Sequence, residues 1–412
     1  MKKVKTLKTV MIAGLSLSLA GGMTSCKKEG CMDEKATNYD EKAKKDDGTC
    51  SYPEVQEDTN LSGDVTENRT LKTGNTYTLK GGVHVKEGAT LTIEKGVTVE
   101  GDATESVPYI LVEPGAKIMA EGTADEPIIL TATVKERGSW GGLIVCGKAP
   151  VNSGERTAEV GDVTYGGTVS GDNSGVIKYV RIEYSGNTIN SEKEHNGLTL
   201  NGVGSGTTVE YVEVYQGKDD GFEFFGGTVN ANYLVSIGSF DDCFDWTYGW
   251  TGKGEYWYAE QSADGGDRGI EGDNDSQDNA NLPFSNPTLK YITLIGRSAD
   301  GKDGIKLREG TRATINNVKI EGFDDAVDIQ HNQTFDNVTS SFLRVSEVNA
   351  IGAKNEFKFS TMKKEDYKGA DWAGDSTIEA NKVASAQRDG ILTTTTSMGS
   401  GTDWMTGAWI KK

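Results

Sequence analysis

The feature that most constrains this chain is a four-residue phrase written six times between Asn196 and Asp328. It reads polar, small, apolar, polar. The copies are Asn196-Gly197-Leu198-Thr199, Asp220-Gly221-Phe222-Glu223, Asp242-Cys243-Phe244-Asp245, Arg268-Gly269-Ile270-Glu271, Asp303-Gly304-Ile305-Lys306 and Asp325-Ala326-Val327-Asp328. Upstream of most copies sits an alternating apolar run, such as Val209-Glu210-Tyr211-Val212-Glu213-Val214 or Ile315-Asn316-Asn317-Val318-Lys319-Ile320. The second and third copies are 22 residues apart, as are the fifth and sixth. A fixed period of this size, built from short strands and turns, is the signature of a solenoid.

The period also selects the kind of solenoid. The stretch lacks the Leu- or Ala-rich faces of helical and leucine-rich repeats. It has two-residue alternation, β-branched residues and Gly at the corners, which favours strands. The expected fold is all-β, a right-handed parallel β-helix. Stacked strands lie about 4.8 Å apart, so equivalent residues form columns. Leu198, Phe222, Phe244, Ile270, Ile305 and Val327 are expected to form a buried column. Thr199, Glu223, Asp245, Glu271, Lys306 and Asp328 are expected to form the outward column beside it. Gly197, Gly221, Gly269 and Gly304 are expected to mark a corner where the backbone turns tightly. The chain's 53 glycines and 7 prolines, with no collagen period, fit many such corners.

Residues 1–25 read as a targeting segment. Lys2, Lys3, Lys5 and Lys8 precede a short apolar run from Val10 to Ala20, and Met23-Thr24-Ser25-Cys26 reads as a lipobox with Cys26 lipidated after cleavage. The apolar run is too short for a membrane span. The expectation is a membrane partner through a lipid anchor, at the outer membrane and facing the cell surface. Formal net charge is -19, and loss of residues 1–25 makes it more negative by four charges. Such a surface repels nucleic acid, excludes it as a partner, and attracts cations.

Residues 26–52 read as the lipidated Cys followed by a small separate module. Cys31 and Cys50, 19 apart in an exported chain, favour a disulfide. Asp33, Asp40, Asp46 and Asp47 between them are candidate Ca²⁺ ligands. The alternative is an acidic spacer without metal. Residues 53–75 read as linker and entry strand, 76–342 as the β-helix and 343–412 as a cap over its open end. Two excursions stand out. Residues 147–174 are rich in Gly, Asn and Asp. Residues 246–287 start aromatic and end acidic.

Several features occur together. They are the lipobox with the Cys31–Cys50 module, the phrase Arg137-Gly138-Ser139-Trp140-Gly141-Gly142-Leu143-Ile144, and the run from Gly204 through Asp219-Asp220-Gly221-Phe222-Glu223 to Thr228. With them the chain resembles a family of Bacteroidetes β-helix envelope lipoproteins. The resemblance implies an envelope location and a pectin-lyase-like fold. It supplies no activity.

Three readings of function follow. Glu223, Asp245 and Glu271, stacked beside Asp219, Asp220, Asp241 and Asp242, would repel one another unless they take up protons or share a cation, and oxygen ligands favour Ca²⁺. Trp246, Tyr248 and Trp250 alternate, so in an extended segment they would present one aromatic face to a sugar, with the neighbouring Asp residues bonding hydroxyls. The leading expectation is therefore a ligand-binding or adhesion module with a polysaccharide ligand. A polysaccharide lyase or hydrolase is the second reading, with Lys306 or Arg308 as base or the pairs 219/220, 241/242 and 324/325 as acids. Asp241-Asp242-Cys243 resembles the paired-Asp motif of polygalacturonase-like hydrolases, but its companion motifs are absent. His84, His195 and His331 are scattered and read as surface or turn residues. The third reading is a spacer or an accessory subunit of an outer-membrane protein complex. The lipobox makes the first prediction: Cys26→Ala moves the protein from the membrane to the soluble fraction, and unchanged partitioning removes the anchor.

Overall fold

The computed structural model describes residues 27–52, 57–104, 106–188, 194–297, 302–360, 386, 389–396 and 399–411. Cys26 lies outside them. The chain divides into two compact units, one ending at Asp58 and the other starting at Thr59.

In the first unit, Glu29–Gly30 pairs in parallel with Lys45–Asp46, and Cys31 is joined to Cys50 with an S–S distance of 2.10 Å. The disulfide closes the small loop that the spacing predicts. The Asp residues between the two Cys are not gathered around a common point. Asp33 accepts from the Lys35 N–H at 2.9 Å and the Tyr52 hydroxyl at 2.7 Å. Asp40 accepts from the Lys42 N–H at 2.9 Å and pairs with Lys28 at 2.5 Å. Asp46 accepts from the Gly48 N–H and Asp47 from the Thr49 N–H and hydroxyl. These are turn-capping bonds to the chain two residues on. They engage the carboxylates of Asp33, Asp40, Asp46 and Asp47, the residues expected to hold Ca²⁺. Among the described residues these four form no group of three with ligand atoms within 4.8 Å.

The second unit is the right-handed parallel β-helix that the repeat predicts. In the regular coils each long strand pairs in parallel with the long strand of the next coil, and each short strand with the next short strand. Thr208–Tyr215 pairs with Asn230–Ile237, and Phe222–Phe225 with Phe244–Thr247. Leu198, Phe222, Phe244, Ile270, Ile305 and Val327 stand in one register and are fully buried. The coils reach beyond the expected bounds at both ends. Asn60–Val65 already pairs with Thr76–Val85, while Leu343–Ile351 and Asn355–Ser360 continue the stack. Residues 53–75 read as linker and entry strand and not as full coil because Ser62, Gly63 and Asp64 dilute the alternation.

The corner glycines have a different reason from the one expected. Gly197, Gly221, Gly269 and Gly304 do not adopt positive φ. A Cβ at Gly221 would lie 2.6 Å from the Cys243 carbonyl oxygen, and one at Gly269 would lie 2.6 Å from that of Gly304. The column is small because the next coil's backbone crosses close beneath it.

The aromatic run is coil, not excursion. Phe244–Thr247 and Lys253–Glu260 are strands, and Trp246, Trp250 and Trp257 are wholly buried. Trp250 stacks on Phe224 with centroids 4.1 Å apart, and Trp257 on Phe244 at 4.5 Å. Each indole N–H is satisfied inside. Trp246 donates to the Thr311 hydroxyl, Trp250 to the Val229 carbonyl and Trp257 to the Ala231 carbonyl. Gly272 opposes Trp246 on the next coil, where a Cβ would come within 2.3 Å of the indole.

A second column lies outside the helix. Tyr179, Tyr211, Tyr233, Tyr256 and Tyr291 sit mid-strand at φ +50, +55, +58, +62 and +59. Left-handed backbone costs a non-glycine residue about 1–2 kcal/mol. Here it bends each long strand into two arms, and it brings the rings into a stack with centroid spacings of 4.3–5.0 Å. The recurring phrase polar-Tyr-apolar, as in Lys178-Tyr179-Val180 and Lys290-Tyr291-Ile292, is the signal that sequence reasoning missed.

Residues 399–411 do not cap an end. They run along this flank, with Trp404 and Trp409 edge-on to the tyrosines. Gly399 N–H donates to the Asn317 side chain, Ala408 N–H to the Ala124 carbonyl, and Lys411 N–H to Glu213 at 2.9 Å. The tail follows the tyrosines because two tryptophans near the C-terminus need an aromatic surface.

Glu213 is fully buried, and desolvation pushes its pKa up to about 8 despite the Lys411 N–H and the nearby Arg181. A carboxyl raised in the folded state binds a proton that the unfolded chain has released, so its contribution declines as pH rises from the ordinary value towards 8. Glu213→Gln should therefore gain in melting temperature over the parent between pH 5 and 8, with a constant difference above that. Trp250→Ala should cost about 3–5 kcal/mol in urea unfolding, the penalty of an emptied core.

Candidate functional site

The short strands carry the outward column. Their alternation puts Leu198, Phe222, Phe244 and Ile270 inside, so Thr199, Glu223, Asp245 and Glu271 point out, one coil apart. Outward does not mean solvated. Thr199 is 6% exposed and Glu271 6%. The hairpin Glu155–Thr157 with Thr164–Gly166, inside the 147–174 excursion, folds back over this sheet. Its Val160 and Tyr165 pack with Leu111, Ile144, Cys146 and Phe225 in a small second core.

The seven acids predicted here, and Asp267, which was not, form four overlapping trios whose ligand atoms lie within 4.8 Å. The trios are Asp219/Asp220/Asp241, Asp220/Glu223/Asp245, Asp241/Asp242/Asp267 and Asp242/Asp245/Glu271. Asp219, Asp220, Asp241 and Asp242 belong to the corner preceding each phrase, and Glu223, Asp245 and Glu271 to the strands.

The cations are unevenly placed. Arg268 reaches Asp267 at 2.8 Å, Glu271 at 2.7 Å and Asp242 at 3.5 Å. Arg308 contacts Glu271 and binds Asp273 at 3.0 Å. Further along, Lys306 contacts Asp328, and Lys358 lies 2.5 Å from Asp325. Among the described residues no cation is paired in this way with Asp220, Glu223 or Asp245. Glu223 accepts from the Asn196 side chain, and Asp220 from the Asp242 N–H at 2.9 Å. Asp245 Oδ1 is buried and has no hydrogen-bond partner among the described residues.

Electrostatics follow this layout. Desolvation, then the facing carboxylates, holds Asp220, Glu223 and Asp245 well above the usual carboxylate range. Desolvation, reinforced by Glu194 and Asp241, pushes Asp219 up to about 8. Asp242 is also raised, by burial and Glu271, against the pull of Arg268. Glu271 reaches only about 7, because Arg308 and Arg268 offset its burial. The arrangement can hold several shared protons or a hard cation on carboxylate oxygens.

Arg268 is a residue that sequence reasoning missed. It occupies the first slot of the fourth phrase, where five other copies carry Asn or Asp, and that reversal of charge is its signal. Glu159 and Glu194, which approach the acids from the hairpin and the loop after Tyr184, lie outside the repeat and gave none.

The proposed aromatic face is not formed. Trp246 and Trp250 are core residues with no exposed surface, which corrects their reading as ligand-binding residues. The alternation that seemed to mark a surface is the in-out alternation of a coil strand. Tyr248, in the turn after that strand, remains partly exposed and lines a cavity of about 400 Å³ with Arg156, Tyr165, Asn201 and Phe225. His195 and His331 are buried, not surface residues, and burial lowers both to about 4. The His331 ring accepts the Glu309 N–H at 2.8 Å. Cys146 and Cys243 are buried thiols, raised to about 12 by desolvation.

Comparison with curated proteins finds no match. A family model described as a pectate-lyase-like β-helix domain matches residues 63–411, the parallel coils together with the C-terminal strap. The chain belongs to the family of pectate-lyase-like β-helix domains.

Proposed function

We propose that this protein is a ligand-binding β-helix of the cell envelope, anchored through Cys26 at the outer membrane, that recognises a polysaccharide and takes Ca²⁺ on its acid column. The observation that carries the cation is Asp245. Its buried Oδ1 lacks a partner among the described residues, while Asp220 and Glu223 bring carboxylate oxygens within 4.8 Å of the Asp245 carboxylate. An uncompensated buried carboxylate is costly. All-oxygen donors at flexible spacing suit Ca²⁺ better than a transition metal.

The family's likeness to pectate lyases, enzymes that act on a polysaccharide, favours a polysaccharide as the ligand class. Cleavage is the second reading, favoured by the carboxylates themselves. The basic groups beside the column argue for binding instead. Lys306 is held by Asp328, and Arg308 by Glu271 and Asp273. A lyase base must be free to take a proton.

Titration calorimetry of the mature chain with Ca²⁺ should give saturable heat that Asp245→Asn and Glu223→Gln each abolish. Asp245→Asn should also melt higher than the parent in EDTA, because one repelling charge is gone, yet gain nothing from Ca²⁺. At a hundredfold excess over Kd the parent should gain about 2.7 kcal/mol. Absence of heat from the parent removes the cation site. A polysaccharide array with product analysis then separates the readings: retention without new chain ends supports binding, and new reducing or unsaturated ends establish cleavage.

A further inference from the structure

Phe284, Arg312 and Phe342 make a ladder across three successive coils. Ala313 lies opposite Leu343 in the parallel register, so Arg312 and Phe342 stand side by side on neighbouring coils. Towards the coil before, the Arg312 N–H donates to the Ser285 carbonyl at 2.8 Å, beside Phe284. The guanidinium carbon lies 3.7 Å over the Phe284 ring and 4.2 Å over the Phe342 ring. With one ring from each neighbouring coil, the two faces of the guanidinium are taken by cation–π contacts. Its N–H donors lie in the plane between the rings.

Those donors have no acceptor and no facing carboxylate among the described residues. Nε is buried and unpartnered. Burial lowers the pKa of the group, and no acid opposes that shift. This sets Arg312 apart. Arg137, Arg156, Arg181, Arg268, Arg297 and Arg308 each hold a carboxylate. The chain has a formal charge of -19, so acids are plentiful, yet the described residues place none here. A guanidinium that has lost part of its water and gained no acceptor is unfavourable. The surface beside it is apolar. Phe342 is 51% exposed, and Leu282, which precedes Pro283 and Phe284, is 66% exposed.

We propose that Arg312 anchors a site for a small organic acid, whose carboxylate lies in the plane of the guanidinium and whose body is apolar. Nε is enclosed, so the two terminal nitrogens take the carboxylate end-on, through two parallel N–H···O bonds. The rings hold the fork in place before the ligand arrives, which reduces the side-chain freedom lost on binding. A planar carboxylate matches the slot between two rings better than a tetrahedral anion does. The apolar body covers the exposed edge of Phe342 and gains from leaving water. The site lies in the turn between Asp303–Leu307 and Ala313–Glu321. It shares no residue with the acid column and does not depend on the polysaccharide reading.

The test is a ligand-observed NMR titration of the mature chain with four probes: benzoate, acetate, glucuronate and inorganic phosphate. Benzoate should bind saturably in the millimolar range and about fivefold more tightly than acetate, which has less apolar surface to bury. Glucuronate and phosphate should bind no better than acetate. Arg312→Gln should abolish benzoate binding. Arg312→Lys, which keeps the charge and loses the fork, should weaken it about tenfold. Phe342→Ala should bring benzoate down to the level of acetate. Thermal melts of the three variants establish that they are folded. If benzoate does not saturate the parent, or still binds the folded Arg312→Gln variant, the site is overturned. Tighter binding of glucuronate than of benzoate would make the ligand an acidic sugar and overturn the apolar body. Phosphate binding as tightly as benzoate would reduce Arg312 to a point charge and overturn the planar fork.

Discussion

Parallel stacking at one fixed register governs this molecule. Each coil places its residues over the same residues of the coil before, about 4.8 Å away. Whatever the repeat writes into a slot is therefore brought against copies of itself. Phenylalanines and tryptophans in the inner slots gain from that, as the Phe222–Phe244 stack at 5.4 Å shows. Tyrosines fill the left-handed bend slot on five successive coils and stack there, and Asn317 and Glu347 continue the bend on the next two. Carboxylates in the outward slot lose, and among the described residues no paired cation offsets the loss at Glu223 and Asp245, or at Asp220 on the corner beside them. Elsewhere along the column Arg268, Arg308, Lys306 and Lys358 relieve it.

That contrast is the observation on which the proposed cation site rests. A column of alternating charge is easily written, and the chain writes one from Lys306 through Asp328 to Lys358. Three carboxylates in sequence, under a hairpin that brings a further Glu159 towards them, form a different arrangement. Burial stabilises such a group only when a proton or a cation arrives.

Much of the fold was legible in the sequence because the repeat is strict where the core is strict. The register of Phe222, Phe244 and Ile270 follows from counting, and so does the acid column beside them. Three things were not legible. Alternation tells which residues share a side but not which side is inside, and Trp246 and Trp250 were assigned outward for that reason. The hairpin that covers the acids comes from outside the repeat, so burial of the outward column had no local signal. The tail's position along the flank depends on Trp404 and Trp409 meeting tyrosines more than a hundred residues earlier, a pairing that no period announces.

The strap at residues 399–411 changes what kind of object the solenoid is. In a repeat protein each unit touches only its neighbours, and folding can begin anywhere and spread. Here Lys411 bonds Glu213, a separation of 198 residues, and Arg181 holds the Ala408 carbonyl across 227. The strap fastens coils that never meet directly, so fraying of one is resisted by the others. It also follows every coil it fastens in sequence. The aromatic flank therefore stays open until the coils beneath it have been made, and the strap is the closing stitch of an otherwise sequential assembly.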